Sequence, residues 1–129
     1  MVANLNFFGD DAAFDHVGIA VSSVNDFLKN ERITDPIQNV NIILLSINGF
    51  GVELVEPVNE SSPVMGVLRR QQSLYHVCFR VQDIELAIEA ARKHGFHCIA
   101  RPVCAVAFNN KRIAWVFSRT YGLFELLEK

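Results

Sequence analysis

Paired thiol chemistry has little to work with in this chain. It holds three cysteines, Cys78, Cys98 and Cys104, an odd number with no C-x-x-C spacing. That excludes a disulfide framework and a four-cysteine zinc site, and it reads as reduced thiols in a cytoplasmic protein. No apolar run approaches the roughly 20 residues that cross a bilayer, so no membrane contact is expected. Neither sign of charge dominates: 12 Lys and Arg stand against 14 Asp and Glu, with a pI near 6.0. Without a basic footprint, nucleic acid is not an expected partner. The opening stretch MVANLNFFGDDAAFD has no Lys or Arg and no long apolar core, which does not fit a signal peptide. Proline- or glycine-rich linkers and low-complexity tracts are also missing. What remains is a chain of 129 residues, half apolar and a fifth charged, the composition of one folded domain over residues 1–129.

What is present is an internal repeat. FDHVGIAV (14–21) aligns with LYHVCFRV (74–81) at an offset of 60, each placing a histidine ahead of alternating apolar residues. LSINGFGVELVEP (45–57) aligns with FSRTYGLFELLEK (117–129) at an offset of 72, matching Glu53 to Glu125. The alternation predicts strands at 14–21 and 76–81, and further strands at 40–47, 51–57, 102–108, 112–118 and 123–128. Ile84, Ala87, Ile88 and Ala91 have helical spacing over 84–94, with Asp83 suited to the N-cap and Gly95 to the terminator. A second helix is expected over about 62–72, after Ser62-Pro63. Module one then spans about 14–57 and module two about 74–129, each a strand, a helix and further strands, the first being the more reduced.

Parity within these strands selects a constellation. Val17, Ile19 and Val21 share one face, as do Val77, Phe79 and Val81, and these are the faces a helix layer would cover. His16 and His76 then point the other way, beside the small Gly18, Ala20 and Cys78. Val52 and Leu54 put Glu53 on that same side, and Phe124 and Leu126 do so for Glu125. Two imidazoles and two carboxylates suit a divalent metal, Mn, Fe, Co, Ni or Zn, with two positions left for water or substrate if the ion is octahedral. A carboxylate facing a strand interior is costly unless it is paired or metal-bound, and the recurrence of His-then-Glu in both halves favours the shared site. Arg80 has the parity of His76 and is a candidate to hold an anionic substrate group. Tyr75, at the mouth of the strand, is a candidate hydrogen-bond donor. Trp115 and the many phenylalanines read as core.

On these residues the chain resembles the vicinal-oxygen-chelate (glyoxalase/bleomycin-resistance/dioxygenase) superfamily, and within it the methylmalonyl-CoA epimerase branch. VELVEPVNESSPV (52–64) resembles that branch's Glu-Leu-Leu-Glu-Pro run followed by Ser-Pro, and YHVCFRVQDIELAI (75–88) resembles its His-His-Val-Cys-Phe segment. The resemblance implies an α+β fold of two βαβββ modules, the first truncated. These would form a curved mixed sheet around a metal and substrate cavity, with helices on the outer face. By position it places the metal ligands on His16, Glu53, His76 and Glu125. It also implies a metal-dependent isomerase, epimerase or lyase acting by proton abstraction beside a carbonyl of a small, acyl-CoA-like substrate, as a homodimer. Glu125 is then the first candidate for the base and Glu53 the second. A binding protein of the same fold, holding a small molecule without catalysis, is the alternative. The chain departs from the branch at Tyr75, where the epimerases carry a histidine, at CAVAFNNKR (104–112), at SRT (118–120), and in the shortened stretch between Val21 and Val40. The branch's second general base has no secure match in the sequence.

Overall fold

Eight strands form one curled mixed sheet in the computed structural model, which describes residues 2–129 apart from the side chain at position 27. The strands are β1 (Ala13–Ala20), β2 (Ile33–Asp35), β3 (Val40–Ile47), β4 (Phe50–Pro57), β5 (Leu74–Val81), β6 (His97–Ala105), β7 (Lys111–Ser118) and β8 (Gly122–Glu128). Their spatial order is β2-β3-β4-β1-β5-β8-β7-β6, so each module runs outward from its first strand in the same sequence. β1 and β5 meet antiparallel at the centre, and each pairs in parallel with the last strand of its module, β4 or β8. The registers repeat as well: Gly18 lies opposite Glu53, and Cys78 opposite Glu125. A pseudo-twofold therefore relates the halves, as the sequence repeat implies.

Helix α2 (Ile84–Arg92) begins where the Asp83 side chain accepts from the Leu86 N–H at 3.0 Å, and it ends ahead of Gly95, which has φ +86°. Its Ile84, Ala87, Ile88 and Ala91 pack with Val81, Ala114, Val116 and Leu126 on the convex side, joined by Phe8 and Phe96. Helix α1 (Val64–Arg69) takes the other side. Its Val64 and Val67 pack on Ala20, Val40, Ile42 and Val55, whose parity is that of His16 and Glu53, so α1 closes one end of the concave face. The helix of the first module is reduced to a 3-10 turn at Asp26–Glu31. Glu56 ties that region to the sheet by accepting from the Val24 N–H and from Arg32. One strand expectation moves: β6 starts at His97 and stops at Ala105, and Val106–Phe108 is a 3-10 turn. Asn109 and Asn110, both at positive φ, reverse the chain at that point.

Two bulges in the β1–β5 pairing set the site. Phe14 pairs with Phe79 and His16 with Cys78, so Asp15 is an extra residue on β1; Gly18 pairs with His76 and Ile19 with Leu74, so Tyr75 is extra on β5. Each bulge breaks the strict alternation and re-aims the side chain it carries. Among the described residues, no helix is long and apolar enough to cross a membrane.

Candidate metal centre

His16 on β1, Glu53 on β4, His76 on β5 and Glu125 on β8 converge on the concave face, each at most 4% exposed. Their donor atoms all lie within 4.8 Å of one another. Glu125 Oε1 stands 3.1 Å from His16 Nε2 and 3.3 Å from His76 Nε2. Glu53 approaches the same nitrogens at 3.7 and 3.5 Å. The two Nε2 atoms are themselves 3.3 Å apart. Ligands held about 2.1 Å from one ion sit roughly 3.0–3.4 Å from each other in octahedral or tetrahedral geometry, which is close to this spacing.

The polar bookkeeping of the cluster points the same way. Glu53 Oε2 and Glu125 Oε1 are buried without a hydrogen-bond partner. His16 Nδ1 lies 2.7 Å from Asp15 Oδ2, so Nδ1 carries a proton and Nε2 faces the centre. Two ring nitrogens this close need a proton or a cation between them. Burial opposes charge on His16, yet its hydrogen bond to Asp15 and the close carboxylates of Glu125 and Glu53 outweigh that and raise its pKa to about 10. Burial and then the Glu125 charge push Glu53 up to about 8. Glu125, although buried, is drawn down to about 2 by contact with His16 and His76. The cluster thus holds protons where it lacks a cation, and its mixed N/O donor set fits a divalent ion.

Gly18 is part of this fit. A methyl group there would enter the space of the His76 ring, against Cε1, Nδ1 and Nε2. Gly18→Ala is expected to lower divalent-metal affinity at least about tenfold by displacing that ligand, an overpacking effect of about 1–3 kcal/mol. Titration with Co2+ checks it, and unchanged affinity would show that the ring has room to spare.

The remaining sequence candidates divide. Tyr75, turned inward by its bulge, lines the interior cavity with Glu53, Glu125 and Trp115. Burial, then the two glutamates, raises its pKa to about 12, so it stays a neutral donor. Arg80 is not among the residues lining that cavity. Its Nε lies 3.3 Å from Asp15 Oδ1 with the side chain 47% exposed, which makes it the outer partner of the carboxylate that orients His16. Sequence reasoning missed that carboxylate because Asp15, one residue before His16, belongs on the opposite face of an unbulged strand. Trp115 packs against the Cys78, Ala105, Ile113 and Leu127 cluster, in keeping with its core reading. Its indole also packs edge-on against His76 with centroids 4.7 Å apart and donates from Nε1 to Gln38 Oε1 at 3.1 Å, a place at the site that the sequence reasoning missed. Phe108, in the 3-10 turn, stacks on His16 at 5.4 Å. Gln38 and Phe108 are among the residues lining the interior cavity, which is about 20 Å³.

Residues 15–115 match the model of the Glyoxalase/Bleomycin resistance protein/Dioxygenase superfamily. The chain is 32% identical to the uncharacterised protein YqjC of Bacillus subtilis, over 88% of this chain and 90% of that one. It is 22% identical to the ethylmalonyl-CoA/methylmalonyl-CoA epimerase of Cereibacter sphaeroides, over 83% of this chain and 89% of the relative. Its fold superposes on methylmalonyl-CoA epimerase from Mycobacterium tuberculosis with a TM-score of 0.73 at 22% identity, covering 89% of this chain and 86% of that one.

Proposed function

The chain belongs to the Glyoxalase/Bleomycin resistance protein/Dioxygenase superfamily, and on that premise we propose that it is a metal-dependent epimerase or isomerase moving a proton beside the carbonyl of a small acyl-CoA-type substrate. The observation that carries the reading is the buried His16–Glu53–His76–Glu125 cluster, whose carboxylate oxygens lack partners and whose donors have metal-ligand spacing. A divalent ion held by those four would supply Lewis-acid stabilisation of a developing enolate oxygen. The chain's own residues have separate tasks. Glu125 receives the proton from the carbon beside the carbonyl and can return it, with Glu53 second in that role. Tyr75 offers its hydroxyl hydrogen to a substrate oxygen inside the cavity. Asp15, backed by Arg80, keeps the His16 Nε2 lone pair directed inward.

Entry of an acyl group into about 20 Å³ requires Gln38 and Phe108 to move aside, breaking the bond to Trp115 and the stack on His16. The tight apolar walls around the cluster, Val40, Ile42, Val55 and Ile113 among them, then exclude water from the enolate. So small an interior does not favour the alternative of a protein that merely sequesters a bulky compound. A homodimer completes the reading, supported by the half-buried Val17, Ile19, Leu54 and Val77 on the convex face. The test is deuterium uptake in D2O at the α-carbon of methylmalonyl-CoA by protein loaded with Co2+ or Mn2+. Metal-dependent exchange is expected, and a protein that binds neither ion and exchanges nothing would refute the proposal.

A further inference from the structure

A third acidic residue faces the cavity and has no part in the cluster. Asp35 closes β2, and its side chain is 1% exposed. Its Oδ1 accepts from the Ile37 and Gln38 N–H groups, each at 3.0 Å, and so shapes the turn into β3. Its Oδ2 is buried with no partner and lines the same cavity as Glu53, Glu125 and Tyr75. It does not join the four ligand residues, whose donor atoms group without it. The turn needs only one oxygen, and asparagine or serine would supply one without placing an acid in an apolar wall. The second oxygen is therefore unexplained by folding. β2 is the edge strand of the first module and β8 belongs to the second, so Asp35 and Glu125 reach the cavity from different walls.

We propose that Asp35 is a second proton-transfer residue of this cavity, serving the substrate face that Glu125 does not reach; this rests on the proton-transfer reading above. In one direction Oδ2 takes the proton from the carbon beside the carbonyl. The C–H electron pair becomes the enolate double bond, and the carbonyl π pair moves onto its oxygen. Glu125, left protonated after acting as base in a turnover of the opposite direction, then delivers that proton to the other face as the electrons return, which inverts the centre. The reverse direction exchanges the two roles. No electrons are gained or lost overall, and no co-reactant enters.

Asp35→Asn separates this role from the turn, because the amide oxygen still accepts from Ile37 and Gln38. Methylmalonyl-CoA of each configuration is incubated in D2O with Co2+-loaded protein. The wild type should exchange the α-hydrogen of both. The variant should keep Co2+ affinity within about threefold, exchange one stereoisomer at close to the wild-type rate, and lose the other by at least about a hundredfold. Asp35→Ser, whose hydroxyl can also cap the turn, should show the same asymmetry. A merely structural Asp35 would lower both stereoisomers alike, and that result, or no change in either, overturns the proposal. If the wild type exchanges both and the variants do too, Asp35 alone loses its role. A wild type that exchanges neither removes the reaction of the whole site, and Asp35 with it.

Discussion

Glu125→Ala is expected to cut divalent-metal affinity by at least about a thousandfold and to leave no measurable proton exchange. The reason lies in where Oε1 stands: 3.1 Å from one ring nitrogen and 3.3 Å from the other, closer to both than either Glu53 oxygen. It is also the carboxylate that His16 and His76 keep ionised, so its removal takes away the negative charge that a cation would meet first. Glu53 makes the instructive contrast. Pushed upward by burial and by Glu125, it has a pKa of about 8, and an amide at its position keeps a carbonyl oxygen able to ligate. Glu53→Gln should therefore lose only about tenfold in affinity, by the loss of one ligand charge. Calorimetric titration with Co2+ ranks the two, with circular dichroism as the check on folding. Equal losses would mean that the two carboxylates share the site symmetrically, and a Glu125→Ala protein that still binds tightly would remove Glu125 from it.

The four cluster residues were legible in the sequence because strand parity is a strong constraint: shifting a strand by one residue moves every side chain to the other face. His16, His76, Glu53 and Glu125 sit in strands whose apolar partners fix that parity, and the repeat supplies the same pattern in each half. The neighbours that complete the site were hidden for the converse reason. Asp15 owes its direction to a bulge, a property of the β1–β5 pairing that leaves no mark in the local pattern of the strand. The inward turn of Tyr75, which the sequence offers as a candidate, comes from the second bulge. Trp115 was readable in principle. In RIAWVFS the small Ala114 lies under α2 with Val116, which leaves Ile113 and Trp115 for the cavity side. Composition, however, favours placing a tryptophan in the core. Asp35 lay in the shortened stretch where no strand was expected, so nothing there could give it a face. The curl of the sheet and the lining of the cavity by Gln38 and Phe108 depend on contacts between modules that a single strand pattern does not contain.

Stripping the metal should lower the thermal midpoint by at least about 10 °C at pH 8, and by clearly less at pH 6, in chelator-treated against Co2+-loaded protein. The pH dependence follows from the two groups raised by the cluster. His16 is held above its ordinary value of 6.5, so the stability it lends the metal-free fold is complete below 6.5 and is lost as pH rises through about 10. Glu53 is raised from 4.5, so its contribution is complete below 4.5 and fades as pH climbs through about 8. Between pH 6 and 9 the metal-free protein should therefore weaken by a few kcal/mol, because each tenfold difference in proton affinity between folded and unfolded chains is worth about 1.4 kcal/mol. Glu125 does not alter this window, because its depressed value matters only as pH falls from 4.5 toward 2. The loaded protein avoids the loss, since the cation replaces the protons that His16 and Glu53 would otherwise give up. Each proton displaced also makes binding tighter at higher pH, so the gap between the two melting curves must widen in the alkaline direction. A gap that narrows between pH 6 and 9 would mean that the metal binds somewhere other than these four residues. No gap at any pH would mean that the cluster is held by protons alone.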